Sequence, residues 1–388
     1  MSEPSQSRQQ APGTERSRRP PGTLRIGSIA GADVLVSTSW FFIAAIIAVL
    51  VAPRIEQVEP GLGVWKYVAG VVFAVMLYLS VLLHEASHAH MARHYGYPVT
   101  SITLHFLGGM TAIEGESRTA RQELVIAVVG PLTSLLVGAA ALAAWFVVPE
   151  GLLQVAIEGL AGANLLVGVL NLVPGLPLDG GRVLKAVVWG VTGNMHRGTM
   201  VAGWGGRIVA LLILSWPLFQ NEVLGVPPTF VDYLLVVVLA LFLWAGASAS
   251  MHQARVRRRL PALDARRLAR RSVTVAEDLP LAQAVRLAQE AHAGSIVTLG
   301  PDGRPSGIVS EAALLATPVE RRPWVPVSSV ARSLEDGLAL SAGIAGEELV
   351  RAISHTPAHE YLLLDADGAI YGVLSTVDVD RAFREAAH

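Results

Sequence analysis

Two histidines and a glutamate stand together in His84-Glu85-Ala86-Ser87-His88, at the end of a long apolar run. On a helix, positions i and i+4 lie about 40° apart around the axis, so both imidazoles face one point and can reach one metal ion. Glu85 lies beside them, where it could take a proton from metal-held water. HExxH by itself is short, but its setting is unusual: residues 64–83 are nearly all apolar, with only Lys66 charged near the far end. A catalytic zinc site needs a third protein ligand and one open position. The chain has no cysteine, so any zinc must take histidine and carboxylate ligands. Asp179 is the candidate, because a carboxylate lodged among apolar spans is costly and usually has a partner or a task. Each assignment has a plainer alternative. Asp179 could cap a helix before Gly180-Gly181, and His84 and His88 could be hydrogen-bonded core residues. Asn171 could donate to a developing oxyanion or shape the loop before Pro174. His90 and His94 lie about 240° and 280° around the helix from His84, on the opposite face. With the set complete, zinc would lower the pKa of its water and polarise a peptide carbonyl. Glu85 would act as general base and return the proton to the leaving amine.

These residues need elements to hold them, and composition says where those elements lie. At 388 residues with 52% hydrophobic and 16% charged residues, the chain is too apolar for an ordinary soluble enzyme. Its mean hydropathy of +0.48 points to a polytopic membrane protein. A net charge of −1 gives no argument for nucleic acid. Residues 1–24 are rich in Ser, Gln, Pro, Gly and Arg without an apolar period, and read as a disordered cytoplasmic N-terminus. Six spans follow, at about 34–52, 64–95, 124–148, 152–172, 201–219 and 230–248, within a membrane domain at 25–252. The first is longer than the apolar core of a secretory signal and reads as retained; cleavage is the alternative. A loop is expected at 53–63, and a short membrane-associated β-hairpin between spans two and three, where Ser101 to Leu104 alternates before Gly108-Gly109. Arg207, inside span five, reads as snorkelling to the interface, with a carboxylate partner as the alternative. Arg93, Arg118, Arg121, Arg182, Lys185, Arg197 and the cluster Arg255 to Arg259 all fall on one side of a six-span layout. The positive-inside rule then puts both termini in the cytoplasm of a multi-pass cell-membrane protein.

A basic linker is expected at 253–261, and from 262 to 388 the chain becomes more polar. Two segments of one plan occur there, at roughly 262–318 and 325–384. Each reads as a short strand, an amphipathic helix, a strand-turn-strand and a second helix, with turns at Pro301-Asp302-Gly303 and Asp365-Ala-Asp367-Gly368.

The chain resembles the site-2 protease family of intramembrane zinc metalloproteases. His84 to His88 at the end of a span, Phe106-Leu107-Gly108-Gly109, Gly130-Pro131 and Asn171 to Arg182 carry the resemblance, which covers about residues 35–190. It implies that His84, His88 and Asp179 bind one catalytic zinc and that Glu85 is the base. It also implies cleavage of a transmembrane segment of a membrane protein within or beside the bilayer. The C-terminal repeat is similar to a tandem CBS pair, a module that often binds adenine nucleotides. Gly372-Val-Leu-Ser375-Thr376-Val-Asp378 matches its ribose-contacting end, whereas the first copy has Ala313 where Asp is expected. The resemblance therefore implies at most one good nucleotide site, at Ser375, Thr376 and Asp378, in a regulatory α/β module. Oligomeric state stays open, with a homodimer through the CBS pair as a form such pairs commonly take. A transporter or channel carrying a CBS sensor is the alternative function, and it leaves Glu85 and Asp179 without a role.

Overall fold

The computed structural model describes residues 21–386 apart from 30 and 107, and divides into two compact units, Met1–Met251 and His252–His388. Residues 1–20, most of the expected disordered segment, lie outside the described residues.

The first unit begins with strands β1 (Thr23–Ile29) and β2 (Ala32–Ser37), followed by helices α1 (Ser39–Val58) and α2 (Trp65–His94). Strands β3 (Val99–His105) and β4 (Gly108–Ile113) come next, then helices α3 (Ala120–Trp145), α4 (Leu152–Asn171) and α5 (Asp179–Thr192). Helices α6 (Met195–Leu224) and α7 (Phe230–Arg259) complete it, α7 running past the unit boundary. Among the described residues, six helices, α1 to α4, α6 and α7, are long and apolar enough to cross a membrane. Their outward faces carry exposed apolar side chains such as Phe42, Leu50, Leu136 and Leu218. In water that surface would be costly, whereas in lipid it is the solvent-facing side.

Helix starts are locally encoded. The Thr119 hydroxyl accepts from the Gln122 amide at the head of α3, and the Asn194 carbonyl oxygen accepts from the Arg197 amide at the head of α6. Three expectations change. Residues 34–37, expected in the first span, are strand: Val34, Leu35 and Val36 are buried in β2, and that span starts at Ser39. An apolar strand running directly into an apolar helix leaves no hydropathy break to separate them. Pro53 and the residues to Val58 lie inside α1, not in a loop. The run Arg255 to Arg259 is the last turns of α7, so residues 253–259 are helix and not a separate linker. Arg207 donates to Ser248 Oγ at 3.1 Å and lies 5.0 and 4.8 Å from the ring centroids of Trp204 and Trp244.

Strands β3 and β4 pair antiparallel, and β3 pairs in parallel with β2, giving a four-stranded sheet in the order β1-β2-β3-β4. The sheet, α2, α3 and Tyr97 of the loop before β3 share a core of Ala32, Ala89, Ala92, Tyr97, Val99, Ile102 and Ile126. Burying these side chains fixes the end of α2 that carries the histidines.

The second unit contains α8 (Ala265–Leu268), β5 (Ser272–Ala276), α9 (Leu281–Glu290), β6 (Ser295–Leu299), β7 (Pro305–Val309), α10 (Glu311–Ala316) and β8 (Ala331–Ser333). After these come β9 (Ala339–Ser341), α11 (Gly346–His355), β10 (Glu360–Leu364), β11 (Ile370–Ser375) and α12 (Thr376–Glu385). The plan β5-α9-β6-β7-α10 recurs as β9-α11-β10-β11-α12. In both copies the first strand pairs in parallel with the second and the second antiparallel with the third. One apolar core gathers around Leu281 and Ile296, another around Tyr361, Leu363 and Leu374, and a third joins the copies through Val297, Ile308, Leu362 and Val373.

Candidate metal centre and its cavity

The histidines come from α2 and the carboxylate from the first residue of α5, ninety-one positions beyond His88. In space the three meet. His84 Nε2, His88 Nε2 and Asp179 Oδ2 form a triangle whose three sides are each 3.2 Å. Tetrahedral coordination with bonds of about 2.0–2.1 Å requires ligand atoms about 3.3 Å apart, so the triangle has the size of one face of a zinc site. His88 Nδ1 lies 2.6 Å from the Ile126 carbonyl oxygen, which can only accept. Nδ1 therefore carries the hydrogen, and in the neutral ring Nε2 presents a bare lone pair to the triangle. His84 Nδ1 pairs with the buried Ser134 hydroxyl at 2.9 Å, which orients that ring in the same sense. Two lone pairs and a carboxylate oxygen aimed at one point repel one another without a cation between them. The donor set fits zinc.

Burial would raise the Asp179 carboxyl, while the Arg182 charge beside it favours the anion. Arg182 Nη1 stands 3.8 Å from Asp179 Oδ1, and Arg182 Nε donates to Glu123 Oε1 at 3.2 Å. Glu123 is itself buried and accepts from Ser117 Oγ at 2.6 Å.

Glu85 is buried beside the triangle without joining it. Thr111 Oγ1 of β4 donates to Glu85 Oε2 at 2.7 Å, fixing one carboxylate oxygen. Two glycines permit this crowding. A Cβ on Gly130 would fall on His88 Nε2, 2.5 Å from its Cε1 and 2.7 Å from His84 Nε2. A Cβ on Gly109 would strike Glu85 Cγ and lie 2.9 Å from Cδ and Oε1. The segment leading to Asp179 is also held: the Leu176 amide donates to the Ala202 carbonyl of α6 at 3.0 Å.

A cavity of about 490 Å³ opens on the triangle, and His84, Glu85, His88, Asn171, Asp179 and Arg182 all line it. Gly108 to Thr111 of β4 form another side. Asn171 is thus brought to the site, and His90 and His94 are exposed on the other face of α2. Sequence reasoning missed Ser134, the Ile126 carbonyl, Thr111 and Glu123. Of these only Glu123 carried a signal, as a carboxylate at the head of an apolar helix.

In the second unit, Ser375 is buried, and Thr376 Oγ1 donates to the His359 carbonyl at 3.2 Å. Asp378 Oδ2 accepts from Arg270 Nε at 2.6 Å, and Arg270 Nη1 donates to Glu311 at 3.2 Å. Those bonds, the one to Asp378 foremost, hold the Arg270 guanidinium above its ordinary pKa. A cleft of about 250 Å³ lies against Arg270, Glu311, Glu360 and Val309. Asp378 meets this cleft through Arg270. Burial and the nearby Glu311 push the Glu360 carboxyl up.

Residues 72–163 and 146–215 match the profile of peptidase family M50, and residues 265–320 that of the CBS domain. The chain is 26% identical over 371 residues to sll0528 of Synechocystis sp., provisionally named a zinc metalloprotease, across 94% of this chain and 96% of that one. It is 38% identical over 210 residues to Rip3 of Mycobacterium tuberculosis, also provisionally named a zinc metalloprotease, across 50% of each chain. Zinc metalloprotease MJ0392 of Methanocaldococcus jannaschii is 29% identical over 182 residues, 45% of this chain and 48% of that one. The chain thus spans about half the length of the latter two. A solved site-2 protease from Methanocaldococcus jannaschii is similar at 24% identity with a TM-score of 0.41, covering 59% of this chain and 95% of that one.

Proposed function

We propose that this chain, a zinc metalloendopeptidase by its peptidase family M50 domain at residues 72–215, cuts a peptide bond within or beside the membrane-spanning segment of another membrane protein. The observation that carries this reading is the triangle of His84, His88 and Asp179 with Glu85 beside it, on helices of spanning length. When bound there, zinc supplies a Lewis acid that polarises a carbonyl and acidifies water. The protein's own residues do the rest. His84, His88 and Asp179 hold the ion and leave one position free. Glu85 takes a proton on the oxygen that Thr111 does not occupy and delivers it to the leaving amine. Asn171, on the cavity wall, donates to the carbonyl oxygen as charge develops. Strand β4 is the edge of its sheet and borders the cavity, so an extended substrate can pair along it while its peptide bond faces the ligands.

The basic loops put the catalytic end of α2 and both termini on the cytoplasmic side. There the CBS pair regulates cleavage by binding an adenine nucleotide at Ser375, Thr376 and Asp378, and joins two copies of the chain. Support for this part is the repeated α/β plan and a cleft beside the Arg270–Asp378 pair. Asp378→Ala is expected to weaken AMP or ATP binding about 10-fold or more by calorimetry, as loss of a charged hydrogen bond does. Unchanged affinity removes that site.

The zinc assignment is tested by metal analysis of purified protein. The wild type is expected to hold about one zinc per chain, and Asp179→Ala to lose most of it at the same folded yield. Equal zinc in both would exclude Asp179 as a ligand.

A further inference from the structure

Each corner of the triangle is held from one helix, α3. Ser134 pairs with His84 Nδ1, the Ile126 carbonyl accepts from His88 Nδ1, and Glu123 accepts from Arg182, which faces Asp179. Positions 123, 126, 130 and 134 are three, four and four residues apart, so they lie along one face of the helix. The histidine partners are direct, whereas Arg182 stands between Glu123 and Asp179. Glu123 is only 4% exposed at the head of a helix of spanning length, where a carboxylate is costly. Ser117 Oγ donates to its Oε2 at 2.6 Å, while Arg182 Nε at 3.2 Å and Lys185 Nζ at 3.5 Å share its Oε1. Two carboxylates thus compete for one guanidinium. Arg182 lies three residues after Asp179 on α5, a spacing at which side chains meet, yet its Nη1 stops 3.8 Å from Oδ1. That separation is too long for a hydrogen bond, whereas the contact with Glu123 is one.

We infer that Glu123 is a positioning residue: it holds Arg182 back from Asp179 and so keeps that carboxylate for the metal ion. The inference rests on the zinc reading above and adds to it how the third ligand stays available. A guanidinium is a rigid fork, so pinning Nε on Glu123 fixes Nη1 as well. Asp179 Oδ2 meanwhile stays turned to the histidines, 3.2 Å from each Nε2. Released from Glu123, the fork would close on Asp179 through two parallel N–H bonds, the geometry that arginine and carboxylate favour. That closure would take up the oxygen that has to face the ion. Lys185 has a different place: it shares Glu123 Oε1, whereas the ion pairs of Asp179 are with His84, His88 and Arg182.

The test measures zinc affinity of the full chain, purified in detergent, by competition with a chelator. Glu123→Gln weakens the pull on Arg182 and is expected to lower zinc affinity about 10- to 100-fold, as loss of an outer partner does. Glu123→Asp keeps the charge but shortens the reach to Arg182, so it is expected to lose affinity too. It also serves if the glutamine variant does not fold. The decisive variant adds Arg182→Met, which removes the competitor for Asp179. In that background Glu123→Gln is expected to change zinc affinity by less than about twofold, because the two residues act as one unit. Lys185→Met is expected not to weaken zinc binding. An equal loss from Glu123→Gln with and without Arg182 would show a direct effect of its charge or packing and overturns the inference. A loss in Lys185→Met as large as in Glu123→Gln would reduce Glu123 to docking α5 on α3, and overturns it too. Full affinity in Glu123→Gln or in Glu123→Asp does the same. A wild type that takes up no zinc overturns the zinc reading itself.

Discussion

Gly130→Ala is expected to strip zinc from the protein and abolish cleavage, although Gly130 is neither a ligand nor a polar residue. The added methyl would occupy the place of His88 Nε2 and press on His84 Nε2, the two atoms that must point at the ion. Neither ring can retreat easily, because His88 Nδ1 is tied to the Ile126 carbonyl and His84 Nδ1 to Ser134. Loss of an outer partner of a ligand costs about 10- to 100-fold in metal affinity, and displacing the ligand atoms themselves is expected to cost at least the upper figure. The effect on the helix has the opposite sign, since alanine is favoured over glycine by about 1 kcal/mol in a helix interior. A folded protein without zinc is therefore the expected result, read as the zinc-to-protein ratio after desalting. Gly162→Ala is the control, because a Cβ there meets nothing within 4 Å. Wild-type zinc content in Gly130→Ala would contradict the close packing of α3 on α2.

Glu85→Gln is expected to separate catalysis from metal binding. The amide has nearly the size of the carboxylate and can still accept from Thr111, so the local packing survives. Glu85 is not one of the three atoms facing the ion, so zinc content is expected to equal that of the wild type. What is lost is the group proposed to carry the proton, and positioned acid–base residues contribute about 10²- to 10⁴-fold. Cleavage of a co-expressed membrane protein substrate, followed by the appearance of its shortened product, is expected to fall at least that far. Retained cleavage at full zinc content would place the base elsewhere. Together the two variants distinguish a site that cannot hold its ion from one that holds it without a base.

Much of the candidate site was legible in the chain because it obeys local rules. His84 and His88 share a helix face by spacing alone, and a carboxylate such as Asp179 stands out in an apolar protein. The C-terminal repeat was legible because its strands and helices alternate with clear turns. Other features were hidden for identifiable reasons. Strand β2 merges with the first span in hydropathy, and it is recognisable only through pairing with β1 and with β3, the latter some seventy positions on. The expected hairpin is for the same reason half of a larger sheet.

The sequence by itself determined the donor types, the facing of the two rings and the spanning lengths of six helices, all set by helix periodicity and local composition. Only the tertiary structure decided that Asp179 closes the triangle, that Thr111 holds Glu85, and that Gly130 and Gly109 leave room for both. Those are matters of distance between segments far apart in the chain, and no local periodicity encodes them.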